Sequence, residues 1–294
     1  MPSLTQHHAT SVIKMLNIGD SGTGKTGALG SLARAGYRLW ILDYDNGLDI
    51  LALTLKDDPK ALERVTYETL RDHRVFRKGI PTLVSPITAY TNAGITLEKW
   101  QAAAGAFGPQ DVVVIDTLTT FSKAAMNFAL NIAGRLNSRI QLTDYGDLAR
   151  GVLAFIDTIT SEEAKFNVIV NSHVKYMGGD EEAQTMMKGL PNSEGQQVSK
   201  DVSLFFNTIV LSRTQGSGPA TKRVISTQPQ GVVQVKVSNP PGIKPSYPIE
   251  TGLAALFADI LGHGPSHTTP VPASPATGTP PTAPETETQP KETA

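Results

Sequence analysis

Short apolar runs alternate with amphipathic segments along most of this chain, a pattern typical of a parallel sheet covered by helices. The apolar runs predict strands at residues 11–18, 38–45, 65–70, 111–116 and 166–173. Apolar positions at helical spacing predict helices at residues 25–35, 96–104, 121–133, 145–160 and 251–261. We therefore expect an α/β domain with a mostly parallel central sheet flanked by helices.

Nearer the C-terminus the pattern changes to strict alternation of apolar and polar residues. It does so at residues 206–213, 222–227 and 232–237, which predicts an antiparallel C-terminal extension of the sheet. Two segments show neither pattern. Residues 79–94, rich in Pro, Gly and Thr, are predicted to be an inserted loop, and residues 176–197 a long polar loop.

The last thirty residues, 265–294, differ in composition from the rest. They hold eight prolines, eight threonines and few apolar side chains, so they cannot bury enough surface to offset the entropy lost on ordering. We predict a disordered Pro/Thr-rich tail there and a single ordered domain over residues 1–264.

Composition narrows the class of protein. The chain has no cysteine, so disulfides, thiolate catalysis and Cys-bound metals are excluded. No apolar run approaches the roughly 18–20 residues that a membrane span needs, and the polar N-terminus lacks the apolar stretch of a secretory signal. We expect a cytoplasmic protein with no membrane partner. The net charge of −1 gives no overall field to attract a polyanion, so nucleic-acid binding would need a local patch.

The strongest chemical signal follows the first predicted strand directly. The pattern G-x-x-x-x-G-K-[ST] is matched in full by Gly19, Asp20, Ser21, Gly22, Thr23, Gly24, Lys25 and Thr26. In this pattern backbone N–H groups point at phosphates, the lysine supplies charge to the β- and γ-phosphates, and the hydroxyl ligates Mg²⁺. The match lies between a strand and a helix whose N-terminus favours anions, so a chance surface turn is disfavoured. We predict binding of ATP with Mg²⁺.

A carboxylate completes the predicted metal site. P-loop ATPases hold Mg²⁺ through the loop hydroxyl and an Asp near the end of another buried strand. The apolar run at residues 112–115 ends in Asp116, so Thr26 and Asp116 are the predicted metal ligands. An Asp at a strand end is also common for structural reasons, but the phosphate loop favours the metal role.

The residue that activates water requires a further step. ATPases of the AAA+ type carry a catalytic Glu immediately after the strand-end Asp, but this chain has Thr117 there, which disfavours that type. Asp43 and Asp45 lie at the end of the second predicted strand, at the edge where ligands bind in open α/β sheets. Asp45 lies further out and is the candidate base, acting with Lys25 in catalysis. The alternative is a turn or capping role for Asp45.

Together these runs resemble the RecA-like recombinase core. After the phosphate loop come RLWILDYDNGLDIL, DVVVIDTLTT and VIVNSHV, in the order of that core. There the second strand ends in D-x-E-x-x-L-D, with Glu as the catalytic base, and Asp45 stands at the Glu position with a side chain one methylene shorter. A later strand of that core ends in a polar residue that senses the γ-phosphate, which makes His173 the implied sensor and nucleotide contact.

The resemblance covers about residues 11–237. Over this range the chain is similar to phage-encoded nucleotide-binding proteins that act in single-strand annealing and recombination. It implies an ATPase that acts on single-stranded DNA as a homo-oligomer, in a host cytoplasm if phage-encoded, with a single-strand-binding protein as a further partner. Two features depart from a full recombinase. The stretch before the first strand is short for a polymerisation segment. Only Lys222 and Arg223 stand where recombinases carry paired lysines that reach a neighbouring subunit's nucleotide. Arg223 is either such an intersubunit residue or a solvated strand charge.

The residues themselves give a mixed picture of DNA binding. Basic and aromatic side chains near the polar loop are Lys175, Tyr176, Lys188 and Lys200, with Arg135 and Arg139 in the preceding loop. The loop also carries the acids Asp180, Glu181, Glu182 and Glu194. Since phosphate contacts dominate affinity for a single strand, this is not a basic groove.

Other function classes remain in competition with the DNA-dependent ATPase. A GTPase is disfavoured because the sequence has no N-K-x-D motif, and a small-molecule kinase because no arginine-rich lid is evident. The open alternative is a P-loop ATPase or an ATP-gated scaffold with a non-DNA partner. In the scaffold, Asp45 would turn ATP over too slowly to matter.

Overall fold

The computed structural model describes residues 11–178, 188–216, 218, 221–237 and 242–262. The strands are β1 (Lys14–Ile18), β2 (Arg38–Asp43), β3 (Val65–Thr69), β4 (Arg74–Arg77), β5 (Ile80–Leu83), β6 (Asp111–Asp116), β7 (Asn167–Ser172), β8 (Val174–Met177), β9 (Lys188–Pro191), β10 (Thr208–Gln215), β11 (Lys222–Ser226) and β12 (Ser246–Pro248). The helices are α1 (Lys25–Arg34), α2 (Asp49–Leu55), α3 (Pro59–Leu62), α4 (Ala89–Ala104), α5 (Leu118–Ile132), α6 (Leu142–Thr160), α7 (Gln196–Asp201) and α8 (Gly252–Leu261). A 3₁₀ turn at Val202–Phe205 follows α7.

Eight strands form the central sheet in the order β12-β11-β10-β1-β7-β6-β2-β3. The strands from β10 to β3 pair in parallel, and β11 and β12 extend the sheet in antiparallel pairing. The predicted α/β class, a mostly parallel sheet flanked by helices with an antiparallel C-terminal extension, is confirmed. Since β1, β7, β6 and β2 are neighbours, the loops that follow them meet at one edge of the sheet.

Helices cover both faces of the sheet, so its central strands are buried on both sides. Along β6, Val113 and Ile115 belong to the apolar cluster packed under α4, α5 and α6. Val112 and Val114 point the other way, into the cluster under α1, α2 and α8. All residues of β1, β6 and β7 are buried. This two-sided packing holds the strand ends, and with them the loops that carry the polar residues described below.

The segment at residues 79–94 is not the inserted loop that its composition predicted. It contributes β5, which pairs with β4 in a hairpin, and its end belongs to α4. The side chain of Asp72 explains the early helix start. Its Oδ1 accepts the backbone N–H groups of Thr88 (3.2 Å) and Ala89 (3.1 Å), donors that the first turn of a helix leaves unpaired. Because this partner comes from outside the helix, the local pattern did not reveal it.

Residues 232–237 do not form the predicted third strand of the extension. Val233 and Lys236 make only isolated bridges, and the strand that pairs with β11 is β12. β11 pairs with β10 only from Leu211 onward, so the earlier residue Ile209 exchanges backbone hydrogen bonds with Lys236 instead. Alternation predicts that a run is able to form a strand, but tertiary pairing decides which run joins the sheet.

The predicted polar loop at residues 176–197 is partly structured, since β8 and β9 pair in antiparallel register and α7 begins before the predicted loop ends. Residues 179–187, which include Asp180, Glu181 and Glu182, lie outside the described residues, as does the tail at 265–294. Within the described ranges, no helix combines the length and apolar character needed to cross a membrane.

Candidate active site

The glycine-rich loop connects β1 to α1 and depends on its glycines in three places. Gly22 and Gly24 have positive φ angles of 76° and 93°, which L side chains rarely adopt. A Cβ on Gly19 would collide with the carbonyl oxygen of Ser212 on β10. Gly24 is also the N-cap of α1, so the loop ends at a helix N-terminus, whose backbone N–H groups favour an anion. The backbone is therefore shaped as the phosphate-binding prediction requires.

Lys25 is buried inside this loop, with 6% of its surface exposed. Its Nζ donates to the carbonyl oxygens of Gly19 and Asp20, both at 2.8 Å. Burial lowers the pKa of Lys25, and the nearby carboxylates of Asp116, Asp20 and Asp45 act in the opposite direction. A cation held in a low-dielectric loop beside a helix N-terminus suits a phosphate ligand.

The two predicted metal ligands lie in direct contact. Thr26 Oγ1 donates to Asp116 Oδ2 at 2.7 Å, and Asn171 Nδ2 donates to Asp116 Oδ1 at 3.1 Å. Burial raises the pKa of Asp116, a tendency that its two hydrogen bonds oppose and the charges of Asp45 and Asp43 reinforce. Hydroxyl and carboxylate oxygens are hard ligands of the kind that Mg²⁺ prefers, and Lys25 and the ion would both offset the carboxylate charge. The residues present therefore fit Mg²⁺.

A row of polar side chains crosses four neighbouring strands at this edge, and the sequence analysis missed most of it. Asn17, Asn171 and Asp116 occupy paired positions on β1, β7 and β6. Asn17 Nδ2 donates to Asn171 Oδ1 at 3.0 Å, and Ser212 Oγ donates to Asn17 Oδ1 at 2.7 Å. An amide within a fully buried apolar strand is costly unless it is paired, and that is the sequence signal that would have found Asn17 and Asn171.

The structure separates the roles of the two carboxylates at the end of β2. Asp43 is 1% exposed, and its Oδ1 accepts the N–H of Asn46 at 2.8 Å while its Oδ2 accepts the Thr69 hydroxyl at 3.2 Å. These bonds hold the turn after β2 and the neighbouring strand β3. Asp45 extends from that turn, with 31% of its side chain exposed. Of the two, Asp45 is the carboxylate able to meet a ligand.

Asp45 faces the first turn of α5, which directly follows Asp116. The hydroxyls of Thr117 (3.3 Å) and Thr120 donate to its carboxylate. His173 Nε2 lies 3.8 Å from Asp45 Oδ2. Burial alone would raise the pKa of Asp45, but the neighbouring His173 and the hydroxyls of Thr120 and Thr117 lower it below its usual value. The structure thus brings His173 to the predicted base, a relation that the sequence did not indicate.

The comparison that decides the family covers most of the chain. The AAA domain family AAA_24 matches residues 11–236, from just before β1 to beyond β11. This chain belongs to that family. A P-loop NTPase core, expected from the phosphate loop, is therefore confirmed. Thr117, and not Glu, follows Asp116, which had disfavoured the AAA+ type. The matching family is nevertheless described as an AAA domain, so a Thr at this position is compatible with that family.

Other comparisons with known proteins add little. No curated protein matches the sequence. Among solved structures, the AAA-domain chain is similar to a KaiC-like protein from the hyperthermophilic archaeon Pyrococcus horikoshii, with 13% identity and a TM-score of 0.43. That match covers 82% of this chain and 87% of the other. A likeness of this degree says nothing about activity.

The opposite side of the α5 turn joins the AAA-domain site to a cleft. Thr119 Oγ1 donates to the Asn192 carbonyl oxygen at 2.9 Å and accepts the N–H of His173 at 3.4 Å. One turn on, Ser122 Oγ accepts the N–H of Glu194 at 2.8 Å. Since Thr120 on the same turn contacts Asp45, a single turn of helix touches both the predicted base and the segment after β9.

The cleft itself has a volume of about 680 Å³ and lies beside this turn. It is lined by Thr119, Lys123, Leu142, Tyr145, Lys175, Asn192, Ser193, Glu194, Gly195, Gln196 and Gln197. Leu142 is 88% exposed and Tyr145 36% exposed, so both offer apolar surface to a ligand. Lys175, which the sequence analysis singled out, is part of the wall, and Lys123 is a cation that it missed.

The remaining predicted residues lie in varied positions. Arg223 is exposed on β11, and its Cδ would be 3.4 Å from a Cβ built on Gly24, so it lies beside the phosphate loop of its own chain. Its reach to a neighbouring subunit stays a prediction. Arg135 is paired with Asp144, whereas Arg139 is exposed. Tyr176, Lys188 and Lys200 are also exposed.

Proposed function

We propose that this AAA-domain protein hydrolyses ATP at the carboxyl edge of its sheet and uses the nucleotide state to act on single-stranded DNA. The observation that carries the proposal is the first turn of α5. Its hydroxyls contact the predicted base Asp45 on one side and the wall of a cleft on the other. An ATP site and a candidate polymer site are therefore separated by one helical turn.

The ATPase part of the proposal assigns each side chain a task. Backbone N–H groups of the loop and the Lys25 ammonium bind the β- and γ-phosphates, and Thr26 and Asp116 hold Mg²⁺, which neutralises phosphate charge. Asp45, ionised at neutral pH, orients a water molecule toward the γ-phosphate and accepts its proton. His173, next to Asp45, is the proposed sensor of the γ-phosphate.

The DNA part of the proposal is supported by the chemistry of the cleft. Lys123 and Lys175 supply charge for phosphates, Tyr145 supplies a ring on which a base can stack, and Leu142 adds apolar surface. Glu194 opposes this charge locally, which argues for modest affinity. By extension we propose that the protein serves single-strand annealing or recombination, assembles as a homo-oligomer and cooperates with a single-strand-binding protein.

The test is an ATPase assay on the full chain with and without single-stranded DNA at two salt concentrations. We expect Mg²⁺-dependent hydrolysis that single strands stimulate, with stimulation weakening as salt rises because phosphate contacts release counterions. Duplex DNA of equal length is the matched control and should stimulate less.

Two outcomes would contradict this proposal in different ways. Hydrolysis that is indifferent to DNA at both salt concentrations would indicate an ATPase with another partner. Tight ATP binding without turnover, with or without DNA, would favour the ATP-gated scaffold.

A further inference from the structure

The β4–β5 hairpin carries a concentration of basic side chains outside the active site. Within residues 71–78 lie four cations, Arg71, Arg74, Arg77 and Lys78, against the single acid Asp72. All four cations are exposed. The chain as a whole has a net charge of −1, so this hairpin is a local positive patch on a near-neutral molecule.

The cations of the hairpin lack acidic partners. Within the described ranges none of the four forms an ion pair, whereas Arg38, Arg135 and Arg150 each do. Asp72 is already engaged, because its Oδ1 caps α4 and its Oδ2 accepts the amide of Asn127 at 2.9 Å. The positive charge is therefore available to a ligand.

Two large apolar side chains are exposed among these charges. Phe76 is 79% exposed, and Ile80, beyond the turn, is 66% exposed. Phe76 shares a strand face with Arg74, two positions earlier, and Arg77 pairs with Ile80 across the hairpin. Arg77 and Ile80 therefore lie on the opposite face of the hairpin. Arg74 offers a phosphate contact beside the exposed ring of Phe76, and a cation next to an aromatic ring is the combination found in binding sites for single strands.

The hairpin is bonded to the loop that leads into the cleft. The side chain of Asn137 accepts the N–H of Leu83 at 2.8 Å and donates to the Leu83 carbonyl oxygen at 2.9 Å. Asn137 lies in the loop between α5 and α6, which also carries the exposed Arg139. That loop leads into Leu142 and Tyr145, two walls of the cleft. Asn137 and the loop that carries it thus connect the hairpin to the wall of the cleft.

We propose that the β4–β5 hairpin is a second contact for single-stranded nucleic acid, in which Arg74, Arg77 and Lys78 bind phosphates and Phe76 stacks on a base. The inference rests on the proposed function, since it names where the polymer continues beyond the cleft. A single strand is favoured over a duplex because stacking on Phe76 needs an unpaired base. An acidic protein segment would use the cations but not the ring.

The charge contribution is tested by the anisotropy of a labelled oligothymidylate bound to the full chain at several salt concentrations. The double variant Arg74→Ala/Arg77→Ala should bind about ten-fold more weakly, and its salt slope should fall by about 1.4, because each phosphate contact with a single strand contributes about 0.7. The matched control Lys56→Ala/Lys60→Ala removes two exposed cations from α2–α3 and should leave both quantities unchanged.

The stacking contribution is tested by Phe76→Ala and Phe76→Tyr in the same assay. Loss of the ring should weaken binding about ten-fold, and the tyrosine, which keeps a ring, should restore it. ATP hydrolysis without DNA should equal wild type in every hairpin variant, which shows that each is folded.

Three results would overturn a specific claim. If wild type binds the oligothymidylate and the double variant binds equally well, the hairpin contact is wrong while the proposed function stands. If wild type does not bind at all, the proposed function itself fails. The third result has two parts: the double variant binds more weakly while Phe76→Ala does not, and polyglutamate displaces the labelled oligonucleotide as well as unlabelled oligonucleotide does. In that case the hairpin binds an acidic partner instead.

Discussion

Two buried lysines at opposite edges of the sheet show how differently those edges are used. Lys14 and Lys25 are each 6% exposed, and both ammonium groups donate to backbone carbonyls. Lys14, at the amino end of β1, meets three carbonyls and lies 4.7 Å from the centroid of the Phe166 ring. Lys25, beyond the carboxyl end, meets two carbonyls and also faces the carboxylates of Asp116 and Asp45.

The pKa values record this difference. Burial, reinforced by the neighbouring charge of Lys165, lowers the pKa of Lys14 to about 8. Burial also lowers the pKa of Lys25, but three carboxylates counteract it. A buried lysine whose ammonium group donates only to backbone carbonyls, as Lys14 does, has a structural role. Burial among carboxylates that come from separate strand ends is the electrostatic mark of a functional site.

The other polar groups at the amino edge likewise serve the fold. Asn167 accepts the N–H of Ile13 at 2.8 Å and donates to the carbonyl oxygen of Pro109 at 2.7 Å. Asp111 pairs with Arg38 at 2.7 Å. At the carboxyl edge, by contrast, Asp45 remains partly exposed beside polar partners. The polar groups at the amino edge stabilise the fold, whereas those at the carboxyl edge form the candidate active site.

The largest expected effect separates the two lysines. Lys25→Ala should abolish nucleotide binding, because it removes the only lysine within the phosphate loop. Lys14→Met should leave ATP affinity unchanged, since Lys14 lies at the far end of β1. Titration with a fluorescent ATP analogue measures both. Normal ATP affinity in Lys25→Ala would contradict the prediction that this loop binds ATP. Lost ATP affinity in Lys14→Met would contradict the purely structural role of Lys14.

A second prediction separates Asp43, the last residue of β2, from Asp45. Asp45→Asn should keep ATP binding and lose hydrolysis by roughly 10²–10⁴-fold, the usual contribution of a general base. Asp43→Asn should mainly lower the melting temperature, because Asp43 holds the turn through the N–H of Asn46 and the hydroxyl of Thr69. Steady-state phosphate release and thermal unfolding of both variants decide the matter. Unchanged turnover in Asp45→Asn would move the base elsewhere.

The smallest effect is a pH dependence of stability from Lys14. Its pKa of about 8 in the folded protein is below its ordinary value of 10.5, so between these two pH values only the unfolded chain binds that proton. Its contribution therefore makes the free energy of unfolding rise with pH across that window and stay constant below it. Denaturant unfolding of wild type and Lys14→Met at pH 7.5 and pH 10 measures it. If the free energies of unfolding of the two proteins differ by the same amount at both pH values, the lowered pKa of Lys14 is refuted.

Local patterns predicted the parts of this protein whose causes are local. The phosphate loop, β6 and α1 were predicted with bounds close to the observed ones, because apolar runs and glycine spacing are properties of adjacent residues. The start of α4 was missed because its cap, Asp72, belongs to another segment. The run at residues 232–237 was wrongly predicted as a strand because β12 took its place beside β11.

By itself, then, the sequence determined the glycine-rich loop at residues 19–26, the buried strand that ends in Asp116 and the α/β class of the fold. Only the tertiary structure decided which strands are neighbours, and this brought Asn171 to Asp116 and His173 to Asp45. It also joined the β4–β5 hairpin to the loop between α5 and α6 through Asn137. The physical reason is range: backbone shape and helix or strand preference are set by near neighbours, whereas hydrogen bonds and charges act between segments that only the packed sheet brings together.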